Sequence, residues 1–108
     1  VRRMAPPGFV IGVSTHSLAE ARRASEEGAD LVVFGPVFET TSKLGAPPVG
    51  LRALAEVVRT VRVPVFALGG ITPERVKTVA AAGAAGVAGI SVFLHEESLQ
   101  RLMNALRL

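Results

Sequence analysis

Residues 67–73 read Ala67-Leu68-Gly69-Gly70-Ile71-Thr72-Pro73, and this stretch joins an apolar run to an amphipathic one. The run over Val63–Leu68 predicts a strand, and the two glycines after it let the main chain approach a ligand without an intervening side chain. Thr72 suits a helix N-cap, and Pro73 suits the first helical position, where an N–H would be unpaired anyway. Because N–H groups at a helix start favour an anion, we predict a phosphate-binding turn here. An ordinary strand-to-helix turn is the alternative.

The same order of apolar run, loop and helical period occurs four times along the chain. This alternation is typical of βα units built around a parallel sheet. Ser17 and Glu20 fit a capping box before the first helix, and Gly28 and Gly83 are placed to end the first and third helices. The predicted strands are 9–14, 31–35, 63–68 and 86–90, and the predicted helices are 18–27, 51–60, 74–82 and 96–106.

Four βα units make half of the eight that close a TIM barrel of about 250 residues. We therefore predict an α/β fold equivalent to half of a (β/α)8 barrel, with residues 1–108 as a single half-barrel domain and 1–8 as an irregular segment. Either a second copy supplies the other half, or the chain is a fragment of a longer protein. The opening at Val1 rather than Met is read as a cut edge. An open flavodoxin-like sheet is the structural alternative.

The composition argues against several classes of protein. With 49% apolar residues and no cysteine, the chain is expected to be a small globular unit of a reducing cytoplasm. No apolar run approaches the roughly 20 residues that cross a bilayer, so no membrane partner is expected. The net charge is only +3, and the chain has no Tyr or Trp to stack on bases. We therefore expect no nucleic-acid partner, whereas a small anionic metabolite remains compatible.

Polar residues and glycines follow each predicted strand, where a parallel α/β protein places its active site. The four turns contain Ser14–Ser17, Glu39–Lys43, Gly69–Gly70 and Ile90–Ser91. His16 is a candidate general acid–base, with a histidine that merely lies beside the helix cap as the alternative. His95, beside Glu96 and Glu97, is expected to be solvated.

Motifs for a nucleotide, a dinucleotide or zinc do not occur in the sequence. Asp30 is the only aspartate and would lie at the amino end of its strand, on the wrong side of the sheet for catalysis. We therefore predict neither a metal site nor a resident cofactor.

Four stretches together resemble the thiamine phosphate synthase and TenI superfamily: Ile11–Ser17, Gly28–Asp30, Gly35–Thr40 and Ala67–Ile71. The resemblance covers about residues 10–93 and corresponds to the second half of the (β/α)8 barrel in that family. It implies a small phosphorylated thiazole as the partner. Gly70, Ile90 and Ser91 match positions that hold the thiazole phosphate, and Ser14, Thr40, Ser42 and Lys43 match a polar wall that meets anionic groups.

The second turn distinguishes the two branches of the superfamily. Synthases usually read Pro-Thr-x-Thr-Lys where this chain has Glu39-Thr40-Thr41-Ser42-Lys43, so Glu39 favours the TenI branch. In TenI-type thiazole tautomerases the histidine that matches His16 is assigned to proton transfer. The leading hypothesis is a homo-oligomeric TenI-like thiazole tautomerase that binds the phosphate at Gly69, Gly70 and Ser91 and uses His16 as acid–base.

Two alternatives stay open. The first is a thiamine phosphate synthase, which joins hydroxymethylpyrimidine diphosphate to thiazole phosphate with magnesium; that family keeps its carboxylates mainly in the first half of the barrel. The second is an inactive half barrel that serves as a binding or assembly module and self-associates through its open strand edges.

Overall fold

The computed structural model describes residues 6–39 and 47–88. Within these ranges the strands are β1 (Gly12–Thr15), β2 (Leu31–Phe34), β3 (Val65–Leu68) and β4 (Gly86–Ala88). The α-helices are α1 (Leu18–Glu26), α2 (Gly50–Thr60) and α3 (Val76–Ala81), and a 3-10 turn, Pro73–Arg75, precedes α3. The last predicted helix, 96–106, and the end of the fourth predicted strand lie outside the described residues.

The four strands form one parallel sheet in the order β1-β2-β3-β4. A flavodoxin-like sheet would reverse its strand order at a switch point, and no reversal occurs among these strands. Each strand lies beside its predecessor, as in a (β/α)8 barrel. Among the described residues the structure therefore confirms four parallel strands in barrel order, the first three each followed by a helix, and excludes the flavodoxin-like alternative for this sheet.

The core lies between the helices and one face of the sheet. Val32 pairs with Val65 and Phe34 with Ala67, and all four side chains are buried on that face. The helices contribute small and branched residues, among them Ala21, Ala24, Leu54, Val57, Val76 and Val79. The alternate strand residues, such as Val33 and Phe66, are half-buried on the opposite face, which forms the interior of a closed barrel.

Two predicted strands are shorter at their amino ends than the apolar runs suggest. Phe9 and Val10 precede β1 and are 58% and 66% exposed. The next residue, Ile11, donates its N–H to the Asp30 carboxylate at 2.7 Å, which places Asp30 at the amino end of the sheet as predicted. β3 begins at Val65 because Pro64, just before it, has no N–H to donate to a neighbouring strand.

The third predicted helix, 74–82, is the largest difference in secondary structure. The chain forms a 3-10 turn over Pro73–Arg75 and only six residues of α3 before it turns at Gly83, which has a φ of +101°. Pro73 occupies the first position of that turn as predicted, but the Thr72 side chain makes no capping hydrogen bond. The prediction that a capped α-helix starts at Thr72 and aims its dipole at the diglycine is therefore wrong.

None of the helices within residues 6–39 and 47–88 has the length and apolar character needed to span a membrane.

Candidate phosphate-binding site

Because all four strands are parallel, the segments that follow them meet at one edge of the sheet, here called the carboxyl rim. Thr15, Phe34, Ala67 and Val87 are aligned across the sheet by its register. Four of the predicted site residues lie on the described part of this rim: Ser14, His16, Gly69 and Gly70. The other five, Thr40, Ser42, Lys43, Ile90 and Ser91, fall outside the described residues.

Ser14 and Thr15 at the end of β1 have opposite environments. Thr15 is 2% exposed and donates its hydroxyl to the Val33 carbonyl at 2.9 Å. Ser14 is exposed, and because strand side chains alternate, it lies on the face opposite the helices. This is the position that a polar wall around a ligand at the rim requires.

The β1–α1 turn satisfies its hydrogen bonds largely with its own side chains. The Ser17 hydroxyl accepts the N–H of Glu20 at 3.1 Å, as the predicted N-cap requires. The Glu20 carboxylate accepts the N–H of His16 at 3.0 Å, one residue earlier than a standard capping box predicts. The same oxygen lies 3.4 Å from Nδ1 of His16, whose side chain is 61% exposed. Glu20 thus holds both the main chain and the ring of His16 at the rim.

The diglycine turn is crossed by the start of the β2–α2 loop, which we call the crossing segment (Pro36–Glu39). Gly69 and Gly70 have φ values of +95° and +67°, a region that glycine adopts without strain. A Cβ on Gly69 would lie 2.5 Å from Cβ of Pro36, and one on Gly70 would lie 2.7 Å from Cβ of Phe38. The two glycines therefore allow the crossing segment to pack closely against the turn. The sequence had predicted that a ligand would make this close approach.

Three successive carbonyls of the turn accept hydrogen bonds from identifiable donors. The N–H of Val37 donates to Leu68 O at 2.8 Å, and the N–H of Phe38 donates to Gly69 O at 3.1 Å. The Gly70 carbonyl accepts from Nη1 of Arg75 at 2.8 Å. Within residues 6–39 and 47–88, no acceptor is found for the N–H groups of Gly69, Gly70 or Ile71. The turn therefore combines fixed carbonyls with amides that the described chain leaves for another acceptor.

Two hydrogen bonds join the crossing segment, at the start of the β2–α2 loop, to the end of the same loop. The N–H of Val49 donates to Pro36 O at 2.7 Å, and the N–H of Gly50 donates to Val37 O at 3.0 Å. These bonds close the base of the loop that carries the predicted Thr40, Ser42 and Lys43. The base of that loop therefore lies directly beside the diglycine turn.

Arg75 also belongs to this region, although no sequence pattern indicated it. Its guanidinium carbon lies 4.5 Å from the centroid of the Phe38 ring, in addition to the hydrogen bond to Gly70. The available signal was weak, because an arginine five residues after a Gly-Gly contacts the turn here from within the 3-10 turn Pro73–Arg75, which the sequence did not predict. Without the structure, Arg75 looks like an ordinary surface arginine.

The described residues offer little chemistry for a metal ion. They contain no group of three His, Cys, Asp or Glu side chains arranged to hold one. Two surface clefts of about 530 and 450 Å³ lie along α1 and between α1 and the end of α2, away from the rim. The distinctive feature of the described part of the rim is the diglycine turn.

Comparisons of the sequence with a family model and with known proteins indicate the same family. The family model described as "Thiamine monophosphate synthase" matches residues 1–93. A thiamine-phosphate synthase of Methanocella arvoryzae is 52% identical over 99 residues, which are 91% of this chain and 47% of that protein. A putative thiamine-phosphate synthase 2 of Aquifex aeolicus is 50% identical over 88 residues, covering 82% of this chain and 47% of that protein.

The structural comparison agrees with the sequence relatives. The thiamine phosphate pyrophosphorylase of Pyrococcus furiosus superposes with a TM-score of 0.77 at 32% identity, over 92% of this chain and 49% of that one. The chain thus spans about half the length of the relatives it matches. These relatives are named as synthases, so they do not support the preference for the TenI branch that Glu39 suggested. On this evidence the chain belongs to the thiamine monophosphate synthase family, of whose barrel it forms about half.

Proposed function

We propose that this chain serves thiamine biosynthesis as the half of a thiamine phosphate synthase barrel that holds thiazole phosphate. In that reaction thiazole phosphate is joined to hydroxymethylpyrimidine diphosphate and diphosphate leaves. Membership of the family supports the reaction class. The diglycine turn supports this assignment, because its amides suit the phosphate of the thiazole, whereas residues 6–39 and 47–88 contain no cluster of side chains that could hold a metal-bound diphosphate.

The observation that carries the proposal is the arrangement of the main chain at Gly69, Gly70 and Ile71. The carbonyls before these three residues are all engaged, and their N–H groups have no acceptor among the described residues. A phosphoryl oxygen is a strong acceptor for such N–H groups, since a hydrogen bond to a charged partner is about twice as strong as a neutral one. The turn also needs no reorganisation on binding, because its carbonyls are already fixed.

The remaining predicted residues complete the proposed site. Ser14 lies on the exposed face of the sheet and is assigned to the wall around the anionic groups. Thr40, Ser42 and Lys43 belong to the same wall by family resemblance, and Ile90 and Ser91 to the phosphate grip. These assignments are proposals that follow from the resemblance and from the loop base beside the diglycine turn.

The described residues do not fit a magnesium site, because they bring no set of carboxylates together at the rim. Asp30 lies at the amino end of the sheet and accepts the N–H of Ile11. Magnesium and the carboxylates that hold it are therefore assigned to the other half of the barrel.

A TenI-like thiazole tautomerase is kept as the second candidate because of His16. Its ring is exposed at the rim beside the Glu20 carboxylate, as an acid–base group that moves a proton around a thiazole ring requires. This candidate needs only one acid–base residue and a phosphate grip. The relatives favour the synthase, and the two candidates differ in the substrates they use.

Two measurements test the proposal. Titration calorimetry of the chain with thiazole phosphate should show binding, and the unphosphorylated thiazole should bind more weakly. A chimeric barrel, in which this chain replaces the matching half of the Methanocella arvoryzae enzyme, should release diphosphate from both substrates with magnesium present. Diphosphate release by the chimera supports the synthase. A chimera that folds but releases none overturns it. Conversion of a non-aromatic tautomer of the thiazole phosphate into the aromatic one by the chain without the pyrimidine substrate, lost in His16→Ala, identifies the tautomerase.

A further inference from the structure

Arg75 makes two contacts that join separate parts of the rim. Its Nη1 donates to the Gly70 carbonyl at 2.8 Å, and its guanidinium lies 4.5 Å from the centroid of the Phe38 ring. Gly70 belongs to the diglycine turn, and Phe38 belongs to the crossing segment. One side chain therefore holds the turn and the segment that packs across it.

The hydrogen bond from Arg75 to the Gly70 carbonyl also fixes the orientation of the Ile71 N–H, which Arg75 does not contact. The peptide bonds between Leu68 and Ile71 are trans, and in a trans peptide the C=O and the following N–H point in opposite directions. Anchoring Gly70 O to Arg75 therefore sets the direction of the Ile71 N–H. The N–H groups of Val37 and Phe38 fix the two preceding peptides in the same way, and with them the N–H groups of Gly69 and Gly70.

Of these three anchors, only the one on Gly70 comes from a side chain. The anchors on Leu68 and Gly69 are main-chain donors, so they remain whatever the side chains are. Arg75 is exposed, and within the described residues its side chain makes no hydrogen bond other than that to Gly70. A substitution at Arg75 thus releases one peptide of the turn and leaves the other two in place.

The chemistry of a guanidinium suits this double contact. Its planar group can present an N–H edge to a carbonyl while its face lies on an aromatic ring, whereas a lysine ammonium is a compact point charge. Donation to Gly70 O also polarises that peptide and makes the Ile71 N–H a better donor. The positive charge close to the turn favours an anion there.

We infer that Arg75 is a positioning residue for the phosphate of the ligand: it orients the Gly70–Ile71 peptide and clamps Phe38 over the diglycine turn. This inference rests on the proposed function, since it assigns a determinant of phosphate recognition within the same site. Arg75 acts through the main chain and through Phe38, so its removal should weaken recognition of the phosphate group in particular.

The test compares Arg75→Met and Arg75→Lys with Arg59→Met, a control at the exposed carboxyl end of α2. Thiazole phosphate and unphosphorylated thiazole are titrated into the full chain. Arg75→Met should lower the preference for the phosphorylated ligand by about tenfold, as the loss of one charge-assisted hydrogen bond allows. Arg75→Lys should restore part of this preference, and Arg59→Met should leave it unchanged. General loosening of the fold would lower both affinities together and leave their ratio unchanged.

A second measurement needs no ligand. In the amide NMR spectrum of the free chain, Arg75→Met should shift the Ile71 amide and leave those of the sheet in place, while Arg59→Met should shift neither. If the Ile71 amide does not respond, or if Arg75→Met keeps the full preference for phosphate, the inference is overturned. If the wild-type chain binds no thiazole phosphate but its Ile71 amide responds to Arg75, the proposed function fails and the positioning of the turn by Arg75 stands.

Discussion

Two turns on the same rim are stabilised in opposite ways. The β1–α1 turn is capped by residues close in sequence, since Ser17 and Glu20 accept the N–H groups of Glu20 and His16. The diglycine turn has its carbonyls held by Val37, by Phe38 and by Arg75. The first turn gives two of its amides, those of His16 and Glu20, a side-chain acceptor within the turn. The second engages its carbonyls from outside and leaves its amides to an acceptor beyond the described chain.

This difference explains why the two turns suit different roles. A turn whose own side chains hold the main chain at His16 and Glu20 can support a side chain such as His16, which lies exposed at the rim. A turn whose amides lack an internal acceptor is suited to a ligand that brings one, provided that other contacts keep it from collapsing. At the diglycine turn the crossing segment provides those contacts.

The largest expected effect comes from adding a single methyl group to the diglycine turn. Gly69→Ala places a Cβ 2.5 Å from Pro36 Cβ and 2.6 Å from Pro36 Cα, at a φ of +95°. Strain and overpacking together should lower the free energy of unfolding by about 3 kcal/mol. Thiazole phosphate binding should be lost as the crossing segment is displaced. Urea denaturation and calorimetric titration measure the two effects.

Gly50→Ala is the matched control for this substitution. Gly50 has a φ of +88°, and no atom of the described residues lies within 4 Å of the Cβ that alanine would add. It should show only the backbone strain, about 1 kcal/mol. Equal losses of stability in the two variants would mean that the close approach of Pro36 contributes nothing, which would contradict the role given to the crossing segment.

An intermediate effect is expected at the β1–α1 turn. Ser17→Ala removes the acceptor for the Glu20 N–H and should cost about 1 kcal/mol of stability, the usual value for a helix N-cap. Ser17→Asp keeps an acceptor and should restore the stability. Thermal denaturation followed by circular dichroism measures both, and neither variant should change the affinity for thiazole phosphate. A loss of affinity in Ser17→Asp would show that the two turns are not independent.

The smallest effect is expected for the carboxylate beside His16. Glu20→Ala removes the acceptor of the His16 N–H, but the Glu20 side chain is 53% exposed and the loss should stay within about 0.5 kcal/mol. Glu20→Gln keeps an acceptor oxygen and should lose less stability than Glu20→Ala. Urea denaturation provides the comparison, and nuclear Overhauser contacts of the His16 ring report its orientation. A ring that keeps its orientation in Glu20→Ala would remove the role of Glu20 in holding His16.

Much of the fold could be predicted because its signals are local. The apolar runs of β2 and β3, the period of α2 and the cap at Ser17 each depend on residues a few positions apart. The barrel order of the strands is consistent with the sequence pattern, but the pattern alone allowed a flavodoxin-like sheet as well. Only the observed order β1-β2-β3-β4 distinguishes the two.

The candidate site was predictable only in part. Gly69 and Gly70 were identified from the sequence because a Gly-Gly after an apolar run is a local signal, and the structure places them on the rim with Ser14 and His16. The error at Thr72 arose because a helical period does not distinguish a long α-helix from a 3-10 turn followed by six residues of α3. Arg75 was missed because its significance depends on Phe38, which lies in a different loop.

The sequence by itself determined that this protein alternates strands and helices, that its strands are parallel, and that glycines and polar residues follow them. These features depend on the period of apolar residues and on the backbone preferences of Gly, Pro and Ser, which act over a few residues. Only the tertiary structure decided that the crossing segment, and not a ligand, packs against the two glycines of the diglycine turn. That outcome depends on the crossing segment and Arg75, whose contacts exist only once β2 and β3 lie side by side.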